Sequence, residues 1–138
     1  MSAKKAIIDT SVILRLLTRD DEAKSNACQR LIRESGRDGI TLILPFVAAL
    51  EIVWVLEKVY KYDRRRIRDI VDAILNTPEL KVEQDSVIRK AVYDYAEKNV
   101  KFADAVMAHS ALENGVSAVY TYDEKDFRKI KGVEPIKP

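Results

Sequence analysis

At 138 residues, 47% of them hydrophobic, residues 1–138 are sized for a single domain whose one core buries roughly two thirds of the unfolded surface. With 24 basic and 22 acidic residues the net charge is only +2, which does not mark the chain as a strongly basic nucleic-acid binder. A single cysteine, Cys28, excludes an internal disulfide framework, no apolar run approaches the ~18 residues needed to cross a bilayer, and the opening Met1–Lys5 leads into too short an apolar run for a signal peptide, so a cytoplasmic protein without membrane association is expected.

In chain order, Ala6–Ile8 and Ile40–Leu44 are short continuous apolar runs, the second stopped by Pro45, and both fit buried parallel strands. Between them, Asp21–Glu34 is a charged segment with apolar points at Ala23, Ala27, Leu31 and Ile32, a narrow amphipathic helix closed by Gly36. Phe46–Tyr60 is apolar nearly all round, which predicts a helix covered on more than one side, by the core and by a second copy in a homodimer. Asp63 is placed to cap the next helix, with Ile67, Ile70, Val71, Ile74 and Leu75 as its stripe before Pro78. Leu80–Val82 is a weak strand candidate, and Asp85 is placed to cap a helix running to about Lys98. Phe102–Glu113 forms a further helix that stops at Asn114-Gly115, and Val116–Tyr120 is a strand. A short helical piece near Phe127 and an edge strand at Val133–Ile136, interrupted by Pro135, complete the chain. Strands alternating with helices argue for an α/β sandwich on a parallel sheet.

Four carboxylates stand out because each lies in or just beyond an apolar segment. Asp9 ends Ala6-Ile7-Ile8, and Asp123 follows Ala118–Tyr122. Glu51 is the only charge among the eleven residues Phe46–Leu56, and Asp104 is the only one in Phe102–Ala108. In open α/β sheets the ligand crevice lies beyond the carboxyl ends of the strands, where Asp9 and Asp123 fall, and Glu51 and Asp104 sit near the starts of helices within reach of it. The bland readings are a helix-start acid favoured by the macrodipole for Asp104 and an exposed helix glutamate for Glu51. Carboxylates about 5 Å apart at an effective dielectric near 20 repel by roughly 3 kcal/mol per pair, so a converged set needs a positive partner. An all-oxygen set without histidine or thiolate suits Mg²⁺ or Mn²⁺, and that chemistry suits hydrolysis of a phosphodiester.

Ile8-Asp9-Thr10-Ser11, the Pro45-to-Glu51 helix start, the Ala103-Asp104-Ala105 helix, and Thr121-Tyr122-Asp123 with Asp126-Phe127 together resemble the PIN-domain ribonucleases, and among them the toxin subunits of VapBC-type toxin–antitoxin pairs. The resemblance covers essentially the whole chain in motif order. It implies a three-layer α/β/α sandwich with a short, mostly parallel central sheet. It also implies endonuclease cleavage of RNA with Mg²⁺ or Mn²⁺, a homodimer, and a cognate antitoxin protein docked into the active-site groove. Carried onto this chain, Asp9 and Asp104 resemble the central metal ligands, Glu51 a further ligand or general base, and Asp123 the fourth acid. Asp126 competes for that last role, and Asp123 is preferred because it lies closer to the strand end. Ser11 and Thr121 match positions of small polar side chains, whose hydroxyls would orient Asp9 or a bound phosphate, and a plain turn hydroxyl is the equal alternative.

Arg64, Arg65, Arg66 and Arg68 form the strongest basic cluster, read as a solvated helix face pairing with Asp69 and Asp72 rather than as a phosphate site. Arg15, about a helical turn and a half beyond Asp9, is the better candidate for touching RNA or an antitoxin. Cys28 and His109 lack the third group that a Cys-His nucleophile requires and are set aside. Trp54 is assigned to core and dimer interface rather than to base stacking. Two other function classes compete. In an aspartyl phosphotransferase, Asp9 would be the nucleophile, but Ser11 stands where that chemistry needs a second acid. A catalytically inactive PIN-fold adaptor that binds RNA or protein is opposed by the retention of all four acids. The choice of RNA depends on surface loops and shape and is not readable from the chain.

Overall fold

A computed structural model of the protein describes residues 4–138; the reading of the Met1–Ala3 opening lies outside them. The elements run β1 (Lys4–Ile7), α1 (Thr10–Thr18), α2 (Glu22–Asp38), β2 (Ile40–Leu44), α3 (Phe46–Lys58), α4 (Arg64–Leu75), β3 (Leu80–Val82), α5 (Asp85–Glu97), α6 (Phe102–Glu113), β4 (Ala118–Tyr120), α7 (Glu124–Arg128) and β5 (Glu134–Ile136). The fold is α/β, with helices packed on a short parallel sheet in the order β1-β2-β3. β4 and β5 pair in parallel as a second, two-stranded ladder instead of extending the first. Among the described residues no helix is long and apolar enough to cross a membrane.

β2 has a neighbour on each side and buries Leu42 and Leu44. β1 is the edge strand and is exposed along Lys4–Ile7, with Ile7 71% exposed, rather than the buried strand expected. Its inward residue is Ile8, whose amide continues the ladder to the Ile43 carbonyl at 2.9 Å. α1 was not delimited by the sequence pattern, although Ile13 is buried and Leu14, Leu16 and Leu17 pack against the core. α2 runs through Gly36 and ends at Gly39, whose φ of 69° is the left-handed geometry that closes a helix without a Cβ penalty. Gly36 instead lets Glu79 approach, since an added Cβ would lie 3.1 Å from Glu79 Cγ.

The Asp63 carboxylate caps α4 by accepting from the Arg66 amide at 2.8 Å, while Asp85 does not cap α5: Gln84 holds that place, and Asp85 accepts from the Ser86 amide. β4 starts two residues later than expected because the Val116 amide turns back to the Ala111 carbonyl. Pro135 is tolerated opposite Val119 because the ladder is carried by the Glu134 amide and by the Ile136 carbonyl on either side of it. α5 runs through the core, with Ile88, Ala91, Val92 and Tyr95 fully buried. α3 buries Ala48, Ala49, Ile52, Val53 and Leu56, but Trp54 is 59% exposed, so it belongs to the surface and not to the core.

The basic cluster is not a uniform solvated face either. Arg64 lies over the Tyr95 ring and donates from Nη1 to the carbonyls of Tyr95 (2.9 Å) and Val100 (2.8 Å), which closes the loop between α5 and α6. The Tyr95 hydroxyl in turn donates to Glu57 on α3. Arg66 covers Tyr62, and Arg68 pairs with Glu97 and Asp69. Because Arg64 satisfies two part-buried carbonyls, Arg64→Ala is expected to lower stability by about 2 kcal/mol in urea unfolding.

Candidate metal centre

α6 opens directly beyond Lys101, and Asp104 lies in its first turn. Asp123 follows β4 as the residue before α7, and Asp126 lies one helical turn on, so a spacing of three puts both on the same side of the short helix. The Thr121 hydroxyl accepts from the Asp123 amide at 2.8 Å and shapes the turn after β4. Phe127 and Ile130 are buried and seat α7 against the rest of the protein. That docking is completed by Asp126, whose Oδ2 accepts from the Lys101 amide at 3.0 Å, one of the donors that a helix start leaves without an internal partner. One oxygen from each of Asp104, Asp123 and Asp126 then lies within 4.8 Å of the others.

The three acids differ in surroundings. Asp126 is buried at 9% exposure and is held on both oxygens, by the Lys101 amide and by Lys129 Nζ at 3.8 Å. Asp123 is more open and has Lys101 Nζ 3.6 Å from Oδ2. Burial, then the charges of Asp123 and Asp126, push the Asp104 carboxyl above the usual carboxylate range, and Lys101 only partly opposes them. A set of like charges that raises one member's pKa is one that a cation would relieve. The donors fit a hard divalent ion. Three carboxylate oxygens gathered within 4.8 Å of one another, with no histidine or thiolate among them, are the all-oxygen donor set that such an ion takes.

Asp9 and Glu51 stand outside this set. Asp9 lies at the carboxyl end of β1, where its Oδ2 accepts from the Ser11 hydroxyl at 2.7 Å, and that bond holds its pKa below the usual value. Glu51 lies on the wall of a cavity of about 610 Å³ between α3 and the start of α6, with Leu50, Trp54, Lys101, Phe102 and Ala103. The cavity thus joins Glu51 to the residues flanking Asp104. Arg15 is engaged with Asp20 at 3.2 Å. His109 bonds buried Asp94 at 2.6 Å through Nε2, a tie between α6 and α5 away from the acids. Sequence reasoning ranked Asp126 second and passed over Lys101 and Lys129. The available signal was the three-residue step from Asp123 to Asp126 followed by Phe127, the pattern of a helical turn whose apolar end is anchored.

Residues 6–133 match the PIN domain family, and the chain belongs to that family. It is similar to a VapC ribonuclease from Aquifex aeolicus (strain VF5), with 29% identity over 132 residues that cover 96% of both chains.

The raised pKa of Asp104 fixes the sign of a linkage effect. Its stabilising contribution is complete below the ordinary carboxylate value and is lost as pH rises through the raised one, so ionised Asp104 strains the metal-free fold at neutral pH. In EDTA at pH 7, Asp104→Asn is therefore expected to melt about 2 °C above wild type. The gap should close on acidification and reverse when Mn²⁺ is added, as read by thermal melts across pH.

Proposed function

We propose that the protein is a divalent-metal-dependent endoribonuclease, a single nuclease domain over residues 1–138 that serves as the toxin of a toxin–antitoxin pair in the cytoplasm. The observation that carries the reading is the gathering of Asp104, Asp123 and Asp126 at one point of a PIN-family chain. The similarity of nearly the whole chain to a VapC ribonuclease supports RNA as the substrate and a VapB-type antitoxin as a partner.

In this reading Asp104, Asp123 and Asp126 hold Mg²⁺ or Mn²⁺. A bound ion of this kind polarises a phosphodiester, lowers the pKa of water and steadies the leaving oxygen. Asp126, clamped on both oxygens, is the fixed point of the set, and Asp123 is the adjustable one. Asp9, kept ionised by the Ser11 hydroxyl, supplies negative charge from the end of β1. Glu51, on the cavity wall, takes the proton from the attacking water. The same cavity offers Leu50 and Phe102 as an apolar wall for an antitoxin segment, and Arg15 contacts RNA or that segment. The exposure of Val47 and Trp54 on α3 and of Val59 just beyond it supports a homodimer across that helix.

Cleavage of a mixed single-stranded RNA pool tests the chemistry. Wild type is expected to cut with Mg²⁺ or Mn²⁺ and to stop in EDTA, and Asp104→Asn and Asp126→Asn each to lose at least about a hundredfold in kcat. Cutting that survives both substitutions would refute the assignment. A protein that neither cuts nor binds Mn²⁺ would instead be a PIN-fold adaptor. For the assembly, light scattering is expected to give a dimer mass that Trp54→Glu shifts to monomer, and a monomeric wild type at micromolar concentration would remove the dimer from the reading.

A further inference from the structure

We propose that Lys101 is the built-in counter-ion of the acidic centre and that, once displaced from Asp123, its ammonium positions the substrate phosphodiester. The inference rests on the nuclease reading above and adds to it a residue outside the acids. Lys101 has two ties to the centre that differ in kind. Its backbone amide donates to Asp126 Oδ2 at 3.0 Å, which fixes its place at the start of α6. Its ammonium lies 3.6 Å from Asp123 Oδ2 on a side chain that is 70% exposed and so has room to swing. The same residue lines the cavity shared with Glu51 and Ala103. Lys129, the other lysine at the centre, is different: its ammonium also donates to the Asn99 carbonyl at 3.3 Å, its side chain is 30% exposed, and it does not line that cavity.

A divalent ion held by Asp123 would repel an ammonium on the same carboxylate and would bind it more strongly than an exposed lysine does, so Lys101 would be the group to yield. Its anchored amide keeps the released ammonium at the mouth of the cavity, beside the point where a phosphodiester approaches the acids. A lysine serves there as a compact point charge for a phosphate oxygen. In the exchange Asp123 would trade a singly charged partner for a doubly charged one, and Lys101 would trade a carboxylate for the substrate's phosphate oxygen.

The test uses the full chain in two measurements: Mn²⁺ binding followed by the electron-spin resonance of free Mn²⁺, and steady-state cleavage of a single-stranded RNA at saturating Mn²⁺. Lys101→Gln is expected to bind Mn²⁺ about two- to fivefold more tightly, because an exposed ion pair has been removed as competitor. Its KM for RNA is expected to rise about tenfold, and Lys101→Arg to bring KM back toward wild type. Lys125→Gln, which removes a nearby charge that makes no ion pair among the described residues, serves as the comparison for a general field effect. Unchanged Mn²⁺ affinity, an equal shift in Lys125→Gln, or a fall in kcat with KM unmoved would overturn the role of Lys101 while wild-type cutting leaves the nuclease reading intact. Wild type that binds Mn²⁺ but cuts no RNA would overturn that reading, and the phosphate role of Lys101 with it.

Discussion

The acidic centre depends on one hydrogen bond between two helices. Asp126 accepts the amide of Lys101, and through that contact the start of α6 and the turn after β4 become one unit. Without it Asp104 would be an ordinary helix-start acid and Asp123 an ordinary turn acid. The burial of Phe127 and Ile130 supplies the free energy that keeps α7 in place, and it does so with a helix of only five residues, too short to persist by its own hydrogen bonds. Apolar burial therefore carries the cost of the polar arrangement: two side chains in the core hold carboxylates together against their repulsion.

That repulsion is only partly met from within. Three carboxylates face two ammonium groups, Lys101 and Lys129, and the pKa of Asp104 remains raised. Asp104 accepts no hydrogen bond among the described residues, whereas Asp126 accepts one from a backbone amide and Asp123 faces an exposed lysine. The least satisfied carboxylate is thus the half-buried one in the first turn of α6. A site designed only for stability would have given Asp104 a donor. Its lack of one fits a group kept available for a cation.

Much of this was legible in the sequence, for reasons that can be named. β2 and α6 carry their own signals: a continuous apolar run stopped by Pro45, and an apolar helix stopped by Asn114-Gly115. Asp9, Glu51, Asp104 and Asp123 were conspicuous because each interrupts an apolar setting. What remained hidden was tertiary. The end of α2 at Gly39 rather than Gly36 was one such feature: the left-handed φ falls at Gly39, while Gly36 lies inside the helix beside Glu79 of a distant segment. The structural task of Arg64 depends on the carbonyls of Tyr95 and Val100, which no local pattern announces. The bond from the Lys101 amide to Asp126 was hidden too, because sequence distance from the strand end says nothing of a helix that folds back onto α6.

The placement of Asp9 and Glu51 apart from the other acids follows from how the chain is divided. Asp104, Asp123 and Asp126 come from one continuous stretch that folds as α6, β4 and α7, whereas Asp9 and Glu51 extend from β1 and from the helix after β2. The ladder β1-β2-β3 and the ladder β4-β5 share no strand pairing, so hydrogen bonds of a common sheet do not set the distance between the two groups of acids. Side-chain packing does so instead, through α3 and α6, whose facing surfaces enclose the cavity that holds Glu51 and Lys101. Packing across a cavity is more yielding than a strand ladder, because its surfaces lack the close mutual contacts that make a protein interior stiff. The acids of one stretch therefore meet through α6 and α7, while Glu51 reaches their neighbourhood only across a cavity between helices. The residue common to both is Lys101, whose amide bonds Asp126 and whose side chain lines that cavity.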